Sequence, residues 1–343
     1  MRGTPKICFF SPVRDRSLLD TTEFYAEDLR ILRELGYDVH VATRWSEIPW
    51  NCDLYFVWWW SWAFLPVAKA SLRGRPTLIT GTFDSDNYPR RSWPQRALMK
   101  ASARLANWNV MVSEWEHYWI HAELGVANSS HIPHSVDTRK YSMAGGEREE
   151  FCFTVCWMKR PNAQRKCMFE LISSIPFIRQ SIPHLRFIIA GSPEDGQPVL
   201  HAHAIRLGVD EAVTFLGRIS TEEKIRRMQT CQVYVQPTRY EGFGVAIAEA
   251  MSCGAPVVTS RVGAVPEVVG ECGEYVDGSD PTSIAAGVLR LLQDSGLRQR
   301  FSIAGRERIE SQFSRDRRRE GLAFVIERLL HQPAHWTFSR HPG

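Results

Sequence analysis

Two glutamates eight positions apart, Glu241 and Glu249, lie in the segment with the strongest chemical signal. An apolar stretch that ends at Gln236 leads into a loop with Gly242 and Gly244, and an apolar helical pattern follows. Glycines let a ligand approach the main chain, and a helix start offers free N–H groups to oxygens or negative charge. A carboxylate at such a loop can accept two hydrogen bonds from a vicinal diol. A loop with surface glutamates is an equal alternative on these residues alone.

A basic segment over residues 159–166 is the second chemical feature. Five of its eight positions are Lys, Arg or Asn, and it opens a helical pattern that starts near Met168. Cations that converge at a helix terminus suit a diphosphate. The alternative is a solvated basic loop.

The elements that must position these residues follow an alternation of short apolar runs and longer amphipathic ones. This rhythm is typical of parallel, doubly wound sheets. The predicted strands are 7–10, 39–43, 54–58, 76–80, 109–112 and 131–133 in the first half, and 151–157, 185–190, 212–216, 233–236 and 256–260 in the second. The alternation of apolar and amphipathic runs stops in a polar, glycine-bearing stretch and resumes after it. We predict one α/β domain over 1–140, a linker over 141–150, a second domain over 151–313, and a C-terminal helix and tail over 314–343 that could pack on either domain.

The segment 241–258 reads E-G-F-G-x-x-x-x-E-A-M-x-x-G-x-P-V-V. It resembles the signature of retaining, nucleotide-sugar-dependent glycosyltransferases of the GT-B fold, specifically the large family numbered four. Segments 188–192, 213–217 and 263–270 also resemble that family, in family order. Segment 132–137 resembles its interdomain hinge, where Asn-Gly is usual at the places of His134 and Ser135. The resemblance implies two Rossmann-like, doubly wound α/β domains facing a central cleft, with the acceptor in the first and the nucleotide sugar in the second.

The resemblance also implies roles for individual residues. Glu249 would bind the ribose hydroxyls, and Glu241 would hold hydroxyls of the donor sugar together with the loop main chain. The base would lie near the end of the 213–217 strand. The other donor-binding residues that the resemblance implies are Gly242, Phe243, Gly244, Val245, Arg218, Ile219, Gly191 and Ser192.

The departing diphosphate would be stabilised by cations of the basic segment. Arg160 and Lys166 keep the family's spacing, whereas Cys167 replaces a family glycine. With Glu241, these two cations are the expected catalytic residues. Main-chain N–H groups and cations suffice to stabilise the leaving group, so neither a metal nor a cofactor is expected. In the family the leaving phosphate is thought to help remove the acceptor proton, and a side-chain base is then not required.

The first half departs most from the family. Thr82 stands where members often place a His, and Asp84 begins a D-x-D pattern that holds a metal in another glycosyltransferase fold. Segment 58–62 contains four tryptophans, whose faces could stack on sugars or belong to a buried sheet. We therefore expect Thr82, Asp84 and Trp60 on the acceptor side.

Composition restricts the partners and the compartment. A formal net charge of +4 is too slight to indicate nucleic acid. Eight scattered cysteines favour reduced thiols in a cytosolic protein. No run has the length of a membrane span. Segment 90–108 carries five positive charges and no acid, which suits either a helix on an anionic membrane surface or a helix packed on its own domain. We expect a cytoplasmic protein, which could in addition contact the inner face of the membrane peripherally.

Together these observations predict a retaining hexosyltransferase that moves a sugar from a nucleoside diphosphate donor to a saccharide or lipid-linked acceptor, in polysaccharide or glycolipid biosynthesis. Two alternatives stay open. One is a GT-B nucleotide-sugar epimerase, and the other is a non-catalytic partner that binds nucleotide sugar.

Overall fold

The computed structural model describes residues 3–331, which divide into two compact units. The first contains the chain up to Ser135 and from Arg315 onward, and the second is Val136–Ser314. Each unit contains one six-stranded parallel sheet flanked by helices. This is the predicted fold class.

The bounds of the elements are as follows. The strands are β1 (Lys6–Phe10), β2 (Asp38–Ala42), β3 (Leu54–Trp58), β4 (Thr77–Gly81), β5 (Trp108–Met111), β6 (Ser129–His131), β7 (Glu149–Val155), β8 (Arg186–Ala190), β9 (Val213–Gly217), β10 (Cys231–Gln236), β11 (Val257–Ser260) and β12 (Glu274–Val276). The helices are α1 (Leu18–Thr21), α2 (Glu23–Glu34), α3 (Phe64–Ser71), α4 (Trp93–Leu105), α5 (Glu114–Leu124), α6 (Arg160–Arg165), α7 (Met168–Ser181), α8 (Gln197–Arg206), α9 (Thr221–Thr230), α10 (Val245–Ser252), α11 (Val265–Val269), α12 (Pro281–Gln293), α13 (Ser295–Gln312) and α14 (Arg315–His331). Short 3₁₀ turns occupy Trp45–Glu47, Trp60–Trp62, Tyr88–Arg90 and Asp210–Ala212. Every predicted strand is present within two residues, and β12 was not predicted.

The sheet of the first unit has the strand order β2-β1-β3-β4-β5-β6. Its central strands β3 and β4 are buried at every position, because helices cover both faces of the sheet. The order reverses between β1 and β3. The loops after these two strands therefore meet at the sheet's switch point.

Helix α14 belongs to the first unit although it is last in sequence. Its Arg318 forms a buried ion pair with Asp28 of α2, at 2.6 and 2.8 Å, and donates to the carbonyl oxygens of Ile132 and Pro133. Leu322 and its apolar neighbours on α14 join a core cluster with strands β1 and β3. Burial of apolar surface and one desolvated ion pair thus fix α14 to this unit.

The sheet of the second unit has the order β12-β11-β10-β7-β8-β9. Counted from the first strand of the unit, this is the Rossmann order, and its switch point lies between β7 and β10.

The predicted linker 141–150 is not a separate segment, since it packs within the second unit. Tyr141 is buried, and its carbonyl oxygen accepts from the Ser252 hydroxyl at 2.6 Å. Arg148 donates to the carbonyl oxygens of Gln229 and Cys231, both at 2.9 Å. These polar side chains satisfy buried main-chain groups, which the composition of the stretch does not reveal.

Candidate donor site

The two chemical segments of the sequence follow the two strands of the switch point in the second unit. The basic segment comes directly after β7, and the Glu241 loop comes directly after β10. Strands β7 and β10 pair in parallel, so their carboxyl ends lie side by side. This edge is where open α/β sheets bind ligands.

Glu241 lies beside two cations from the basic segment. One carboxylate oxygen is 3.1 Å from Arg165 Nη1 and 3.6 Å from Lys166 Nζ. The same oxygen accepts from Gln236 Nε2 at 3.2 Å, and the glutamate is 9% exposed. Arg165 also donates to Asn162 at 2.9 Å. The structure therefore brings Glu241 and Lys166 together and adds Arg165, to which sequence reasoning gave no separate role.

Arg160 has a different position from Arg165. It is the first residue of α6, its side chain is exposed, and its main-chain N–H donates to Asp195 at 3.1 Å. Within residues 3–331, no ion pair joins its guanidinium to Glu241. The predicted pair Arg160 and Lys166 thus consists of one exposed cation and one cation in the Glu241 cluster.

A second loop supports the main chain of Glu241. The Ala264 N–H donates to the Glu241 carbonyl at 2.9 Å. Gly263 has φ +52°, and a Cβ there would lie 2.4 Å from the same carbonyl oxygen. Only glycine permits this approach. The start of segment 263–270 thus supports the main chain of Glu241.

The two-glycine loop leads into α10 as expected. Gly244 precedes the helix with φ +91°, the left-handed region that favours glycine. The Phe243 ring is buried and packs edge-on against Phe313, with centroids 5.5 Å apart. Its side chain therefore serves packing, and main-chain groups of Gly242, Phe243 and Gly244, with Val245 at the helix start, are the ones a ligand could use.

Glu249 lies on α10 with 3% of its surface exposed. Both of its carboxylate oxygens are 2.9 Å from the ammonium group of Lys224 on α9. Lys224 was missed by sequence reasoning, because it stands among several charges of an ordinary amphipathic helix.

Arg218 and Ile219, expected near the base, and Gly191 and Ser192, expected to bind the donor, lie at the carboxyl ends of β8 and β9. Arg218 Nη2 donates to the Ser192 hydroxyl at 3.2 Å, and Ile219 follows Arg218 in the chain. Gly191 has φ +140°, and a Cβ there would lie 1.9 Å from the carbonyl oxygen of Cys156. Strand β8 therefore requires a glycine at this end to lie against the end of β7.

Two further residues lie at the end of β7. Trp157 is 50% exposed and donates its indole N–H to Glu194 at 2.9 Å. Burial raises the pKa of the Cys156 thiol, and the nearby Lys166 and Arg165 lower it by less. Cys156 therefore stays protonated at neutral pH and is a poor nucleophile. An exposed tryptophan gives no sequence signal that separates it from a buried one.

In the first unit, Thr82 and Asp84 lie in a loop held by a buried carboxylate. Glu116 accepts from the main-chain N–H groups of Phe83 at 2.8 Å and Asp84 at 2.7 Å. The Asp84 side chain itself binds Asn87 and Arg91, both at 2.8 Å. Thr82 is half-buried. No cluster of three or more His, Cys, Asp or Glu suited to a metal occurs in the described part of the chain.

Trp60 is a core residue, which contradicts its expected place on the acceptor side. It is 1% exposed, and its indole N–H donates to the buried Asn109 at 2.8 Å.

Trp59, by contrast, is half-buried at the switch point of the first unit. Its φ is 75°, and its indole N–H donates to Tyr25 at 2.6 Å. The positive φ turns the chain so that Trp58 and Trp60 join different core clusters. Of the tryptophans in 58–62, Trp62 is the most exposed, at 46%.

Segment 90–108 contains α4, which buries Met99 and Ala103 and exposes Trp93 and Leu98. Across the described residues, no helix combines the length and apolarity that a membrane span needs.

Comparison with known proteins agrees with this architecture. Residues 152–294 match the family model "Glycosyl transferases group 1". A phosphatidyl-myo-inositol mannosyltransferase of Mycobacterium leprae is 30% identical over 207 residues, which cover 58% of this chain and 54% of that protein. The O-antigen chain mannosyltransferase B of Escherichia coli is 42% identical over 87 residues, which cover 25% of this chain and 23% of that protein. The chain thus spans about half the length, or less, of these relatives.

Solved structures show the same fold over nearly the whole chain. Sucrose-phosphate synthase of Thermosynechococcus elongatus has a TM-score of 0.78 at 18% identity, over 95% of this chain and 99% of that one. HepE of Anabaena, in complex with UDP-glucose, has a TM-score of 0.78 at 17% identity, over 94% of this chain and 99% of that one. The chain therefore has the GT-B fold, and its segment 152–294 matches the group 1 glycosyl transferases.

Proposed function

We propose that the protein is a retaining, metal-independent glycosyltransferase of family four, which moves a hexose-type sugar from a nucleoside diphosphate sugar to a saccharide or lipid-linked acceptor. The observation that carries this proposal is the Glu241 cluster at the switch point of the second unit. A carboxylate, two cations and a glycine loop meet at the edge where doubly wound sheets bind nucleotides.

The site is suited to a donor with a negatively charged leaving group. Lys166 and Arg165 lie within 4 Å of Glu241, and Arg160 is exposed at the start of α6. These cations would stabilise the charge that grows on the diphosphate as the glycosidic bond breaks. Glu241 and the N–H groups before α10 would hold the sugar hydroxyls. In this mechanism the leaving phosphate takes the acceptor proton, so no side-chain base is used.

The names of the relatives guide the choice of donor and acceptor. A protein of Corynebacterium glutamicum, 27% identical over 214 residues, is named as a GDP-mannose-dependent mannosyltransferase that acts on a phosphatidylinositol monomannoside. The M. leprae relative is also named as a phosphatidylinositol mannosyltransferase. We therefore propose mannose as the first sugar to test and a lipid-linked acceptor as the first acceptor class.

Calorimetric titration with UDP, GDP, ADP and dTDP tests the donor site directly. One nucleotide should bind more tightly than the others, and a chelator should leave its affinity unchanged. Glu249→Gln should weaken this binding, whereas Glu211→Gln, at an exposed position of a 3₁₀ turn, should not. Equal weak binding of all four, or loss on chelation, would contradict the proposal.

Product analysis separates the proposed activity from its alternatives. With the preferred sugar nucleotide and a lipid-linked acceptor, the anomeric configuration of the product should match that of the donor. An isomerised donor formed without acceptor would indicate an epimerase. Tight binding with neither transfer nor hydrolysis would indicate a non-catalytic partner.

We also propose that the protein is cytoplasmic and contacts the inner membrane surface through α4 and its neighbours. Trp93 is 75% exposed and Leu98 42%, beside the exposed Arg96 and without an acid in the segment. Exposed aromatic and basic residues together suit an anionic bilayer surface. The protein should co-sediment with vesicles that contain phosphatidylglycerol more than with phosphatidylcholine alone. Trp93→Ala should reduce this difference, whereas Trp115→Ala, at another exposed site of the unit, should not.

A further inference from the structure

The ion pair between Lys224 and Glu249 lies largely away from water. The Glu249 side chain is 4% exposed and that of Lys224 17%. The ammonium is 2.9 Å from each carboxylate oxygen, so it engages the two oxygens equally. A pair with this burial and symmetry differs from the mobile ion pairs of a protein surface.

The surroundings of Lys224 separate it from the other charges of α9. Glu223 binds Arg226 and Arg227, at 2.8 and 2.7 Å. Lys224 points instead toward Glu249 and lies 5.0 Å from the ring centroid of Tyr141. Tyr141 is itself buried. The aromatic ring and the carboxylate together confine the ammonium group beside α10.

The hydrogen-bonding capacity of Glu249 leaves room for a diol as well as for this cation. An ionised carboxylate has about four acceptor positions, of which Lys224 takes one on each oxygen. A vicinal diol needs one position on each oxygen, and these are the two that remain. Lys224 and a ribose can therefore bind Glu249 at the same time.

We propose that Lys224 is a positioning residue of the donor site, which orients the Glu249 carboxylate so that it recognises a ribose diol. This inference rests on the proposed function, because it takes Glu249 as the ribose-binding carboxylate. It adds a residue on another helix and assigns it a role in specificity. The protein should then discriminate ribonucleotides from their 2′-deoxy analogues, and this discrimination should depend on Lys224.

The test compares the affinities for a ribonucleoside diphosphate and its 2′-deoxy analogue by calorimetry. The probe is whichever of UDP, GDP or ADP the wild-type protein binds best, with the corresponding deoxynucleotide. A hydrogen bond to a charged group predicts a ratio of about 10- to 100-fold in the wild type. Lys224→Met removes the cation, so the ratio should fall by about fivefold or more, mainly through weaker binding of the ribonucleotide.

Two further variants make the result specific. Lys140→Met is the matched control, because the Lys140 ammonium lies over the same Tyr141 ring, 5.6 Å from its centroid. It should keep the wild-type ratio. Lys224→Gln retains a hydrogen-bond donor without charge, should also lower the ratio, and replaces the Met variant if that one does not fold.

Each outcome decides the inference. A Lys224→Met protein with a lower thermal midpoint but an unchanged ratio would show that Lys224 only stabilises the fold, and would overturn the inference. Tighter ribonucleotide binding by this variant would show that Lys224 competes with the ribose, and would also overturn it. A wild-type protein that binds none of the nucleotides would overturn the proposed function itself.

Discussion

Gly263→Ala should damage the donor site through the main chain alone. The residue has φ +52°, and the added Cβ would lie 2.4 Å from the Glu241 carbonyl oxygen. Ordinary van der Waals contact begins near 3.4 Å. The loop that carries Glu241 must therefore move by about 1 Å or the 263–264 turn must open.

Two costs add in this variant. A left-handed conformation costs a residue with a Cβ roughly 1–2 kcal/mol. Relieving the overlap with a buried carbonyl adds about 1–3 kcal/mol. Gly208→Ala is the control for the first cost, since Gly208 has φ +65° with nothing within 4 Å of its added Cβ. The two variants should therefore differ by about 1–3 kcal/mol in the free energy of unfolding.

Calorimetric thermal unfolding and nucleotide titration measure both effects. Each kcal/mol should lower the thermal midpoint by about 2–4 °C for a unit of this size. Gly263→Ala should also bind the preferred sugar nucleotide more weakly, by up to about 100-fold, because a 1 Å displacement misplaces Glu241, the carboxylate that we propose holds the sugar hydroxyls. Gly208→Ala should bind as the wild type does. Equal midpoints and equal affinities in the two variants would refute the claim that this contact fixes the Glu241 loop.

Three other perturbations have directions fixed by the structure. Arg160→Gln should lower turnover of the donor without moving the thermal midpoint. Arg165→Gln should lower both, because of these two arginines only Arg165 has ion-pair and hydrogen-bond partners for its guanidinium among the residues that the structure describes. Steady-state kinetics measures the turnover and calorimetry the thermal midpoint. Trp60→Phe should cost about 1–3 kcal/mol in unfolding free energy, because the buried amide oxygen of Asn109 loses its donor. Trp62→Phe should cost almost nothing in the same denaturation assay. Burial between two aromatic rings holds the pKa of His134 well below its usual range. At a pH below about 6.5 the unfolded chain therefore binds more protons than the folded protein, and the free energy of unfolding falls as the pH drops. His134→Phe should reduce the slope of unfolding free energy against pH below that value by about 1.4 kcal/mol per pH unit, and an unchanged slope would contradict this.

The fold, and the grouping of residues on one side of the candidate site, could be predicted because their signals are local. Each buried strand is a short apolar run, and the Glu241 loop, α10 and its two glycines are continuous in sequence. The basic segment was predicted for the same reason, although which of its arginines meets Glu241 depends on the turn geometry of α6.

The remaining errors come from contacts that sequence spacing does not encode. Lys224 lies on α9 and Glu249 on α10, so no continuous sequence motif contains both residues. Trp60 was expected on the acceptor side because the tryptophan segment falls where the acceptor side of the resembling family begins, and spacing does not reveal the positive φ at Trp59 that precedes the buried Trp60. The stretch 141–150 was predicted as a linker because it is polar, contains glycines and has no periodicity, whereas Arg148 donates to the carbonyl oxygens of Gln229 and Cys231.

Because α14 packs in the first unit, it determines the order in which the two units can complete folding during synthesis. The second unit is continuous in sequence and can fold as soon as it has emerged from the ribosome. The first unit is synthesised first yet finishes last, since Asp28 lacks its buried cation until Arg318 emerges. A nascent or truncated chain that ends at 314 would hold a desolvated charge and an uncovered apolar surface, which makes it a substrate for chaperones and for aggregation.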